Sequence, residues 1–449
     1  YWDFSLPHSG SPNFVNEAKR LCEEYRDIFS KKLSKQPANL PPFKFDIDVE
    51  KWMAEKEMRG VRQQSQPKQK AIKEYIAEGL DTLLEISEAH KTSQVNMVPK
   101  PTPGEYRLTC DFRALNECCK KISFPIPKIE EIMGRIAKAG SRCFAKIDLT
   151  QGFHQVPLHI DHRIYSAFRT FMGTYQYLRM PMGTKGAPQY FQLCMAKVLE
   201  GLEDKCQAYI DDILVHSKHE SELLANLKLV FDRLRKVGLT ANPRKTSIGM
   251  QTLEYLGYNI TKEGSLLVNE GKRRELYEYP KPIYKKQMKS FIGLANVVQQ
   301  RIPGCATLMK PLNSMIGAYG RLSANEKLIW TESAETSFSQ IKDLIAKLPT
   351  LRLMKDGLRT VLRTDASEYG VGGHLVQIET LLDKDGVEYE EEYTIMFVSK
   401  AFDKTQLNWC TAEKECYATW YCCTKLQYLL EGIEFEVEID HKNLNILRD

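Results

Sequence analysis

The sequence predicts an α+β fold that is built from several domains. Apolar residues recur at helical spacing in several segments, the first of them over residues 16–29. From residue 143 onward strand-like runs dominate, and after residue 360 strands are combined with one helix. Because 449 residues allow about three domains of ordinary size, these segments need not share a single core.

The first third of the chain predicts further helices and strands. Apolar and polar residues alternate over residues 43–49, which is typical of a strand. A second helix is expected from Pro67 to about Glu88, since proline is tolerated in a first helical turn. Short strands are expected over residues 94–112, and another helix over residues 128–139.

The rest of the chain predicts strands interrupted by helices, and then a last α/β unit. Helices are expected near residues 186–201 and 219–237, followed by basic helical segments over 270–345. The last unit is predicted to contain, in order, two strands from about Thr360, a third strand after the acidic residues 388–392, a helix from Thr411 and a strand over residues 435–440.

Composition excludes some classes of protein. The net charge is only +5, because 63 basic residues face 58 acidic ones, so the chain is not a histone-like polycation. The 12 cysteines lack the spacing of a zinc site, which predicts reduced and mostly buried thiols. Since no apolar run approaches the ~18 residues of a membrane span and no signal-peptide pattern opens the chain, we expect a soluble intracellular protein without a membrane partner.

One acidic pair stands out among the predicted strands. Asp211 and Asp212 separate two short apolar runs, and a two-residue connection favours a tight hairpin with both carboxylates at its tip. Asp148 lies in another largely apolar run further upstream. Adjacent carboxylates repel one another, so a site that needs all three would hold Mg²⁺ ions for in-line nucleotidyl transfer. Taken alone, an acidic surface turn is the ordinary interpretation of such a pair.

Several ordered motifs accompany these acidic residues. Residues 209–212 read YIDD, and residues 146–158 read KIDLTQGFHQVPL. The first is similar to the YxDD box, and the second to the strand that carries the first catalytic Asp, of the reverse transcriptases of gypsy-class (Metaviridae) LTR retrotransposons. The other motifs, which follow the family's order, are EYRLTCDFRALNE at 105–117, SAFRTFMGTYQYLRMPMGTKGAPQYFQ at 166–192, LEYLGY at 253–258 and MKSFIGLANVVQQRIPGCATLMKPL at 288–312. The resemblance covers roughly residues 40–449.

This resemblance implies a right-hand polymerase followed by an RNase H-like α/β domain. The domains are expected as an N-terminal extension at 1–39, fingers at 40–145 and 166–185, palm at 146–165 and 186–268, thumb at 269–345 and the RNase H-like domain at 346–449. The implied activity is RNA- and DNA-templated DNA synthesis with two Mg²⁺ per active site, for which Mn²⁺ is a substitute. The implied partners are dNTPs, an RNA template, a DNA primer and an RNA:DNA hybrid, with a dimer as one option, in a cytoplasmic particle or the nucleus.

The resemblance also implies which residues contact the incoming nucleotide. Lys100 and Arg107 occupy the fingers positions that contact the triphosphate, whose oxygens suit ammonium and guanidinium groups, although both could be ordinary surface cations. Phe153 matches the steric gate that would exclude a ribose 2′-hydroxyl, against the alternative of a core aromatic. The remaining assignments are Gly183 and Pro188 in the pocket loop, Met182 and Lys185-Gly186 where that loop departs from its relatives, and Tyr209 and Ile210 of the YIDD box.

The resemblance also implies which residues form the primer grip and which cations belong to the thumb. Leu253, Tyr255, Leu256 and Gly257 match the primer grip, the hairpin that positions the primer's 3′ end. A cluster of cations follows in the presumed thumb, where phosphate contact would make binding fall with salt unless the charges only solvate the surface. These cations are Lys272, Arg273, Arg274, Lys281, Lys285, Lys286 and Lys289.

A second acidic set resembles the metal ligands of retroelement RNase H domains. Asp365, Glu415 and Asp440 match three of them, with Glu413 as the competing choice for the second. They could hold two Mg²⁺ ions that activate water against an RNA phosphodiester, or else lie exposed at the ends of elements. Because the family carries a fourth acid downstream and this sequence stops at Asp449, we expect the domain to be incomplete here and its hybrid cleavage to be weak.

Two rival functions stay open at this point. One is a catalytically retired retroelement protein that binds nucleic acid without polymerising, and the presence of all six expected ligands argues against it. The other is an RNA-dependent RNA polymerase, which shares a palm with paired Asp residues. Phe153 and the RNase H-like unit argue against that second rival.

Overall fold

The structure is a computed structural model that describes residues 10–55, 60–100, 104–317 and 323–439. The chain divides into two compact units. The first unit contains the described residues up to Lys128 together with Cys143–Gln251, and the second contains Ile129–Arg142 and the described residues from Thr252 onward. In the described part of the chain, no helix is both long enough and apolar enough to cross a membrane.

The chain up to residue 142 forms short helices and three strands. In order they are α1 (Pro12–Glu24), α2 (Val49–Ala54), α3 (Gln66–Gly79), β1 (Leu84–Ile86), β2 (Ser93–Pro99), β3 (Tyr106–Cys110), α4 (Arg113–Cys118) and α5 (Ile129–Lys138). Helix α1 begins earlier than predicted because the Ser11 side chain accepts a hydrogen bond from the Phe14 N–H and Pro12 occupies the first turn.

Residues 143–251 complete the first unit. They form β4 (Cys143–Asp148), β5 (Phe168–Thr170), β6 (Gly173–Tyr177), α6 (Ala187–Val198), β7 (Cys206–Tyr209), β8 (Asp212–Ser217), α7 (Glu220–Val237) and β9 (Ser247–Ile248). Two sheets result, with strand orders β1-β6-β5-β2-β3 and β7-β8-β4-β9. Helix α7 buries an apolar face at helical spacing, including Leu223, Leu227 and Leu234, which confirms the predicted helix.

The second unit contains the rest of the described chain. Its elements beyond α5 are β10 (Thr252–Tyr255), β11 (Tyr258–Thr261), β12 (Ser265–Val268), α8 (Glu270–Tyr277), α9 (Lys285–Val297), α10 (Cys305–Ile316), α11 (Glu332–Ala346), β13 (Leu351–Arg352), β14 (Arg359–Ala366), β15 (Gly370–Leu382), β16 (Glu388–Ala401), α12 (Thr411–Lys425), α13 (Gln427–Leu430) and β17 (Glu436–Ile439). Its sheets have the orders β10-β11-β12-β13 and β16-β15-β14-β17. The helical stretch over 270–345 and the helix from Thr411 are therefore confirmed.

Two predicted elements near the N-terminus are wrong. Residues 43–49 make only isolated bridges, Phe43 with Leu158 and Ile47 with Cys119, although Phe43 is fully buried. The helix predicted to run to Glu88 ends at Gly79, and Leu84 starts a strand that pairs with β6. Pairing with a distant strand thus overrides the local helical pattern.

The acidic segment over 388–392 is also placed differently from the prediction. It does not precede the third strand of the last unit but forms its first residues, paired with β15 from Leu382 to Ile378. All twelve cysteines lie in the described residues and are free, and eight of them are buried, as predicted.

Candidate active site

The turn that carries the acidic pair lies one residue earlier than predicted. Strands β7 and β8 pair with Tyr209 opposite Asp212, so Ile210 and Asp211 form the two-residue connection and Asp212 is the first residue of β8. Ile210 adopts the left-handed region with a φ of 57°. The carboxylates of Asp211 and Asp212 therefore come from the turn and from the strand, and not both from the tip.

Gln192 on α6 holds this turn in place. Its side-chain oxygen accepts a hydrogen bond from the Ile210 N–H at 2.6 Å, and its side-chain nitrogen donates to the Ala208 carbonyl at 3.0 Å. A β-branched residue is strained at positive φ, so the conformation of Ile210 needs such support from its surroundings. Gln192 is buried, and its role could not be predicted from its place in the motif at 166–192.

Asp148 is fixed beside this turn by strand pairing. Strand β4 runs antiparallel to β8, and Asp148 lies directly opposite Asp212. Opposed residues in such a ladder have Cα atoms about 4.5–5.5 Å apart. The Leu149 N–H also donates to the Asp211 carbonyl at 3.4 Å. Backbone pairing alone therefore brings the three predicted acids to one end of the sheet.

Two lysines lie against these carboxylates. The ammonium of Lys245, on the loop after α7, is 3.5 Å from an oxygen of Asp148, and the ammonium of Lys146 is 3.2 Å from an oxygen of Asp212. Burial raises the pKa of Asp148, opposed by Lys245 and reinforced by Asp212. Burial and then repulsion from Asp212 raise the pKa of Asp211. Neither lysine was predicted from the sequence to lie at this site, and Lys245 carries no local pattern that could have identified it.

The donor set at this sheet end fits Mg²⁺. It offers only carboxylate oxygens, the ligands that this hard ion prefers, and their mutual repulsion is the kind that a cation relieves. Among the described residues no three His, Cys, Asp or Glu side chains are grouped closely enough to hold an ion as they stand, and the two ammonium groups supply the counter-charge.

Phe153 lies on a short helical turn directly after β4. Its half-buried ring stacks on Phe191 with 5.4 Å between ring centroids. The preceding residue is Gly152, where a Cβ would come within 2.9 Å of the Asp211 Cβ. This glycine allows the turn that carries Phe153 to approach the acidic turn closely.

The loop before α6 presents Met182 to solvent, with the residue 51% exposed. Gly183 has a φ of 83°, a conformation that favours glycine, and Pro188 occupies the first turn of α6.

Lys185 in this loop does not extend into solvent, because its ammonium donates to the carbonyls of Asn116 and Cys119. The Asn116 side chain in turn accepts from the Lys185 N–H at 2.7 Å and donates to the Gly183 carbonyl at 2.9 Å. Asn116, whose role was not predicted from the sequence, therefore anchors this loop.

The two predicted fingers cations lie on the β2–β3 hairpin. Arg107 is exposed on β3, opposite Val98. Lys100 is exposed just after β2, and its ammonium lies 3.2 Å from a carboxylate oxygen of Glu105. Since Arg107 makes no ion pair with a described residue, it is better placed than Lys100 to accept a new anion.

The predicted primer grip is a hairpin in the second unit. Tyr255 and Tyr258 close a two-residue turn, in which Leu256 and Gly257 have φ values of 50° and 84°. Leu253 and Tyr255 point into the core, at 3% and 0% exposure. Two consecutive positive φ values are the mark of the tight turn that best suits a twisted hairpin.

The cations after this hairpin are largely neutralised by neighbours. Arg273 pairs with Glu270, Arg274 with Glu278, Lys281 with Glu335 and Lys285 with Glu326. Within the described residues, Lys272 and Lys286 make no ion pair. The surface charge that this segment offers to phosphate is therefore smaller than its sequence suggests.

The predicted RNase H-like acids lie on a strand and a helix. Asp365 is exposed near the end of β14, whereas Glu415 is 5% exposed on α12. The two elements meet where the hydroxyls of Thr364 and Thr419 lie 3.1 Å apart. The alternative ligand Glu413 instead caps α12, since its carboxylate accepts from the Cys410 N–H at 2.8 Å. Asp440 lies outside the described residues.

Sequence comparisons relate the chain to known families. Residues 98–260 match the family described as reverse transcriptase (RNA-dependent DNA polymerase), and residues 330–437 match the RNase H-like domain found in reverse transcriptase. The retrovirus-related Pol polyprotein from transposon 297 of Drosophila melanogaster is 31% identical over 383 residues, which are 84% of this chain and 34% of the relative. The transposon Tf2-3 polyprotein of Schizosaccharomyces pombe is 29% identical over 441 residues, 96% of this chain and 32% of the relative. The chain therefore spans about a third of the length of these relatives.

Solved structures show the same fold. The foamy viral protease-reverse transcriptase in complex with dsDNA superposes with a TM-score of 0.77 at 20% identity, over 98% of this chain and 88% of that chain. Its complex with an RNA/DNA hybrid gives a TM-score of 0.75 at 21% identity, over 96% of this chain and 55% of that chain. The predicted α+β class, with a reverse transcriptase fold and an RNase H-like domain, is confirmed.

Proposed function

Since the chain carries the reverse transcriptase domain and the RNase H-like domain of gypsy-type LTR retrotransposons, we propose that it synthesises DNA on RNA and DNA templates. One observation carries this proposal above all others. Asp148 and Asp212 face each other across β4 and β8, with Asp211 in the adjoining turn, so three carboxylates share one sheet end.

These carboxylates would hold two Mg²⁺ ions, for which Mn²⁺ could substitute. When bound, the metals lower the pKa of a primer 3′-hydroxyl and neutralise the triphosphate and the leaving pyrophosphate. The chain's own contribution is to hold Asp148, Asp211 and Asp212 in register before the substrate arrives. The ammonium groups of Lys146 and Lys245 would move aside as the ions bind.

The incoming dNTP is proposed to bind between the fingers hairpin and the acidic turn. Arg107 and Lys100 would contact the triphosphate, Lys100 after leaving Glu105. Phe153 would pack beneath the sugar and exclude a 2′-hydroxyl, with support from its stacking on Phe191. Met182 would line the pocket, and Tyr209 and Ile210 would lie under the primer terminus.

The nucleic-acid partners are proposed from the solved complexes of a similar enzyme. The foamy viral enzyme has been captured with dsDNA and with an RNA/DNA hybrid, and this chain would take a primer on either template. The hairpin with Leu253, Tyr255, Leu256 and Gly257 would act as the primer grip. The same proposal includes the domain boundaries expected from the sequence. They are those of the N-terminal extension, fingers, palm, thumb and RNase H-like domain.

The RNase H-like domain is proposed to act on the RNA of the hybrid, with only weak cleavage expected of this chain. Asp365, Glu415 and Asp440 would be its metal ligands, with water as the nucleophile. The placement of Asp365 and Glu415 on adjoining elements supports the first two assignments.

Primer extension tests the polymerase proposal. The purified chain is incubated with a labelled DNA primer on an RNA template, Mg²⁺ and either dNTPs or rNTPs, beside the variant Asp211→Asn. We expect the wild type to extend with dNTPs and the variant to extend at least about a thousandfold more slowly, since a lost ligand removes several kcal/mol of charge stabilisation. Equal rates in both proteins would refute the proposal, extension by neither would favour a retired protein, and a preference for rNTPs would favour an RNA polymerase.

A further inference from the structure

A network of buried polar groups lies beneath the turn that carries Phe153. Gln155, at 2% exposure, donates from its side-chain nitrogen to the carbonyls of Thr150 and Thr240, both at 2.8 Å. Its side-chain oxygen accepts from the Thr240 N–H at 2.7 Å. The residues on both sides of Phe153 are thereby tied to the chain after α7, so the backbone of this turn has little freedom to move.

Arg179 ties the same turn to the N-terminal part of the chain. It is 2% exposed, and one of its terminal nitrogens donates to the His154 carbonyl at 3.3 Å. The other donates to the carbonyls of Ser34 and Lys35 at 2.7 and 2.8 Å. Burial lowers the pKa of Arg179 to about 10, which leaves it charged at neutral pH. A buried cation is costly unless its donors are satisfied, so these carbonyls constrain one another's positions.

Residues 28–38, in the N-terminal part of the chain, also form hydrogen bonds with the turn that carries Phe153. The Thr150 hydroxyl donates to the Ser30 carbonyl at 2.7 Å, and the Ala38 N–H donates to the Gln155 carbonyl at 2.8 Å. Ser30 and Ile28 also exchange backbone hydrogen bonds with Ala241 at 3.0 and 2.8 Å. These residues precede the matched reverse transcriptase region, which begins at residue 98.

We propose that Arg179 is a positioning residue for sugar selection, acting by clamping residues 28–38 against the turn that carries Phe153. The inference rests on the proposed polymerase function. The Phe153 ring is held on one side by Phe191, and its backbone is held on the other side by Arg179 and Gln155. Steric exclusion of a 2′-hydroxyl depends on ring placement to within about 1 Å, so a loosened backbone admits rNTPs more readily.

The test is the selectivity for dNTP over rNTP, measured as the ratio of kcat/KM in single-nucleotide incorporation. The variants are Arg179→Lys, which keeps the charge but replaces two donor nitrogens by one, and Thr150→Val, which removes only the hydrogen bond to Ser30.

Phe153→Val is the positive control for the steric gate. Arg235→Lys is the matched control, because the exposed Arg235 ties the N-terminal residues Glu24 and Asp27 to α7 without contacting the Phe153 turn. Thermal unfolding of each protein accompanies the kinetics.

We expect the selectivity to fall roughly tenfold in Arg179→Lys, by a smaller factor in Thr150→Val, and not at all in Arg235→Lys. Unchanged selectivity in a folded Arg179→Lys would overturn the inference, as would an equal loss in Arg235→Lys. If Arg179→Lys does not fold, unchanged selectivity in Thr150→Val would overturn it. Relaxed selectivity in Phe153→Val alone would leave the proposed function intact and refute only this inference. A wild type that extends no primer would refute both.

Discussion

The two acidic sets of this chain are held together by different physical means. Asp148 and Asp212 lie opposite each other on paired strands, so backbone hydrogen bonds set the distance between them. Asp365 and Glu415 lie on a strand and a helix, so their approach depends on how side chains of α12 pack on β14 and β15. We therefore expect the site on paired strands to depend less on distant packing than the site across a helix–sheet contact, which depends on each side chain between the two elements.

The largest expected effect separates the two acidic sets by function. Asp148→Asn should slow primer extension at least about a thousandfold, because it removes one of three proposed ligands. Glu415→Gln should leave primer extension within about twofold of the wild type, since Glu415 belongs to the other compact unit. Extension rates on one primer–template pair measure both. A comparable loss in Glu415→Gln would refute the separation.

A pair of glycines tests the dependence on packing. A Cβ at Gly152 would lie 2.9 Å from the Asp211 Cβ, and a Cβ at Gly373 would lie 2.6 Å from the Cys422 sulfur on α12. We expect Gly152→Ala to slow extension by roughly 10- to 100-fold, because the acidic turn must shift. Gly373→Ala should leave extension unchanged but destabilise the second unit by about 1–3 kcal/mol, because α12 is pushed from the sheet.

Gly372 provides the control for the second of these glycines. It neighbours Gly373 on β15, and a Cβ there meets nothing within 4 Å. Gly372→Ala should therefore unfold at the wild-type denaturant concentration or slightly above it. Equal destabilisation by both alanines would show that the strand, and not the contact with α12, is what the substitution disturbs.

The raised pKa values predict how stability depends on pH. Burial and repulsion from Asp212 raise the pKa of Asp211 above its ordinary 3.8, so the folded state favours the protonated acid. The contribution of protonated Asp211 to the stability of the fold is complete below pH 3.8. It is lost as the pH rises through the pKa that Asp211 has in the folded protein. In EDTA at pH 7.5, Asp211→Asn should therefore have a higher Tm than the wild type, with the difference shrinking as pH falls. Added Mg²⁺ should stabilise the wild type more than the variant, and a lower Tm for the variant in EDTA would contradict the account.

The smallest expected effect concerns the cations of the second unit. Lys281 pairs with Glu335, whereas Lys286 makes no ion pair with a described residue. Lys286→Ala should reduce the slope of log affinity against log salt by up to about one unit, and Lys281→Ala should change it little. Primer–template binding over a range of NaCl concentrations measures the slopes. Equal slopes in both variants would remove the proposed role of Lys286.

Long periodic segments were predictable from the sequence, and the elements that depend on distant partners were not. The face of α7 with Leu223, Leu227 and Leu234 identifies that helix by itself. By contrast, Leu84 fits a helical pattern but pairs with Tyr177, nearly a hundred residues away. The turn at Ile210 was misplaced by one residue because Gln192, on another helix, supports a left-handed isoleucine there.

The same distinction applies to the candidate site. Asp148, Asp211 and Asp212 could be predicted only with the help of the family resemblance, because the short apolar runs beside them indicate strands but not metal ligands. Lys245, Asn116 and Arg179 could not, because a lysine, an asparagine and an arginine carry no such signal. Their contacts are with carboxylates and carbonyls far along the chain.

The central claim is that Asp148, Asp211 and Asp212 form one metal-dependent polymerase site. Rapid-quench measurement of single-dNTP incorporation, with wild type and Asp211→Asn across a Mg²⁺ titration, tests it most directly. The account predicts that the wild type is inactive in EDTA and saturates with Mg²⁺, while the variant stays at least about a thousandfold slower at every concentration. A variant within tenfold of the wild-type rate, or incorporation that persists in EDTA, would contradict it.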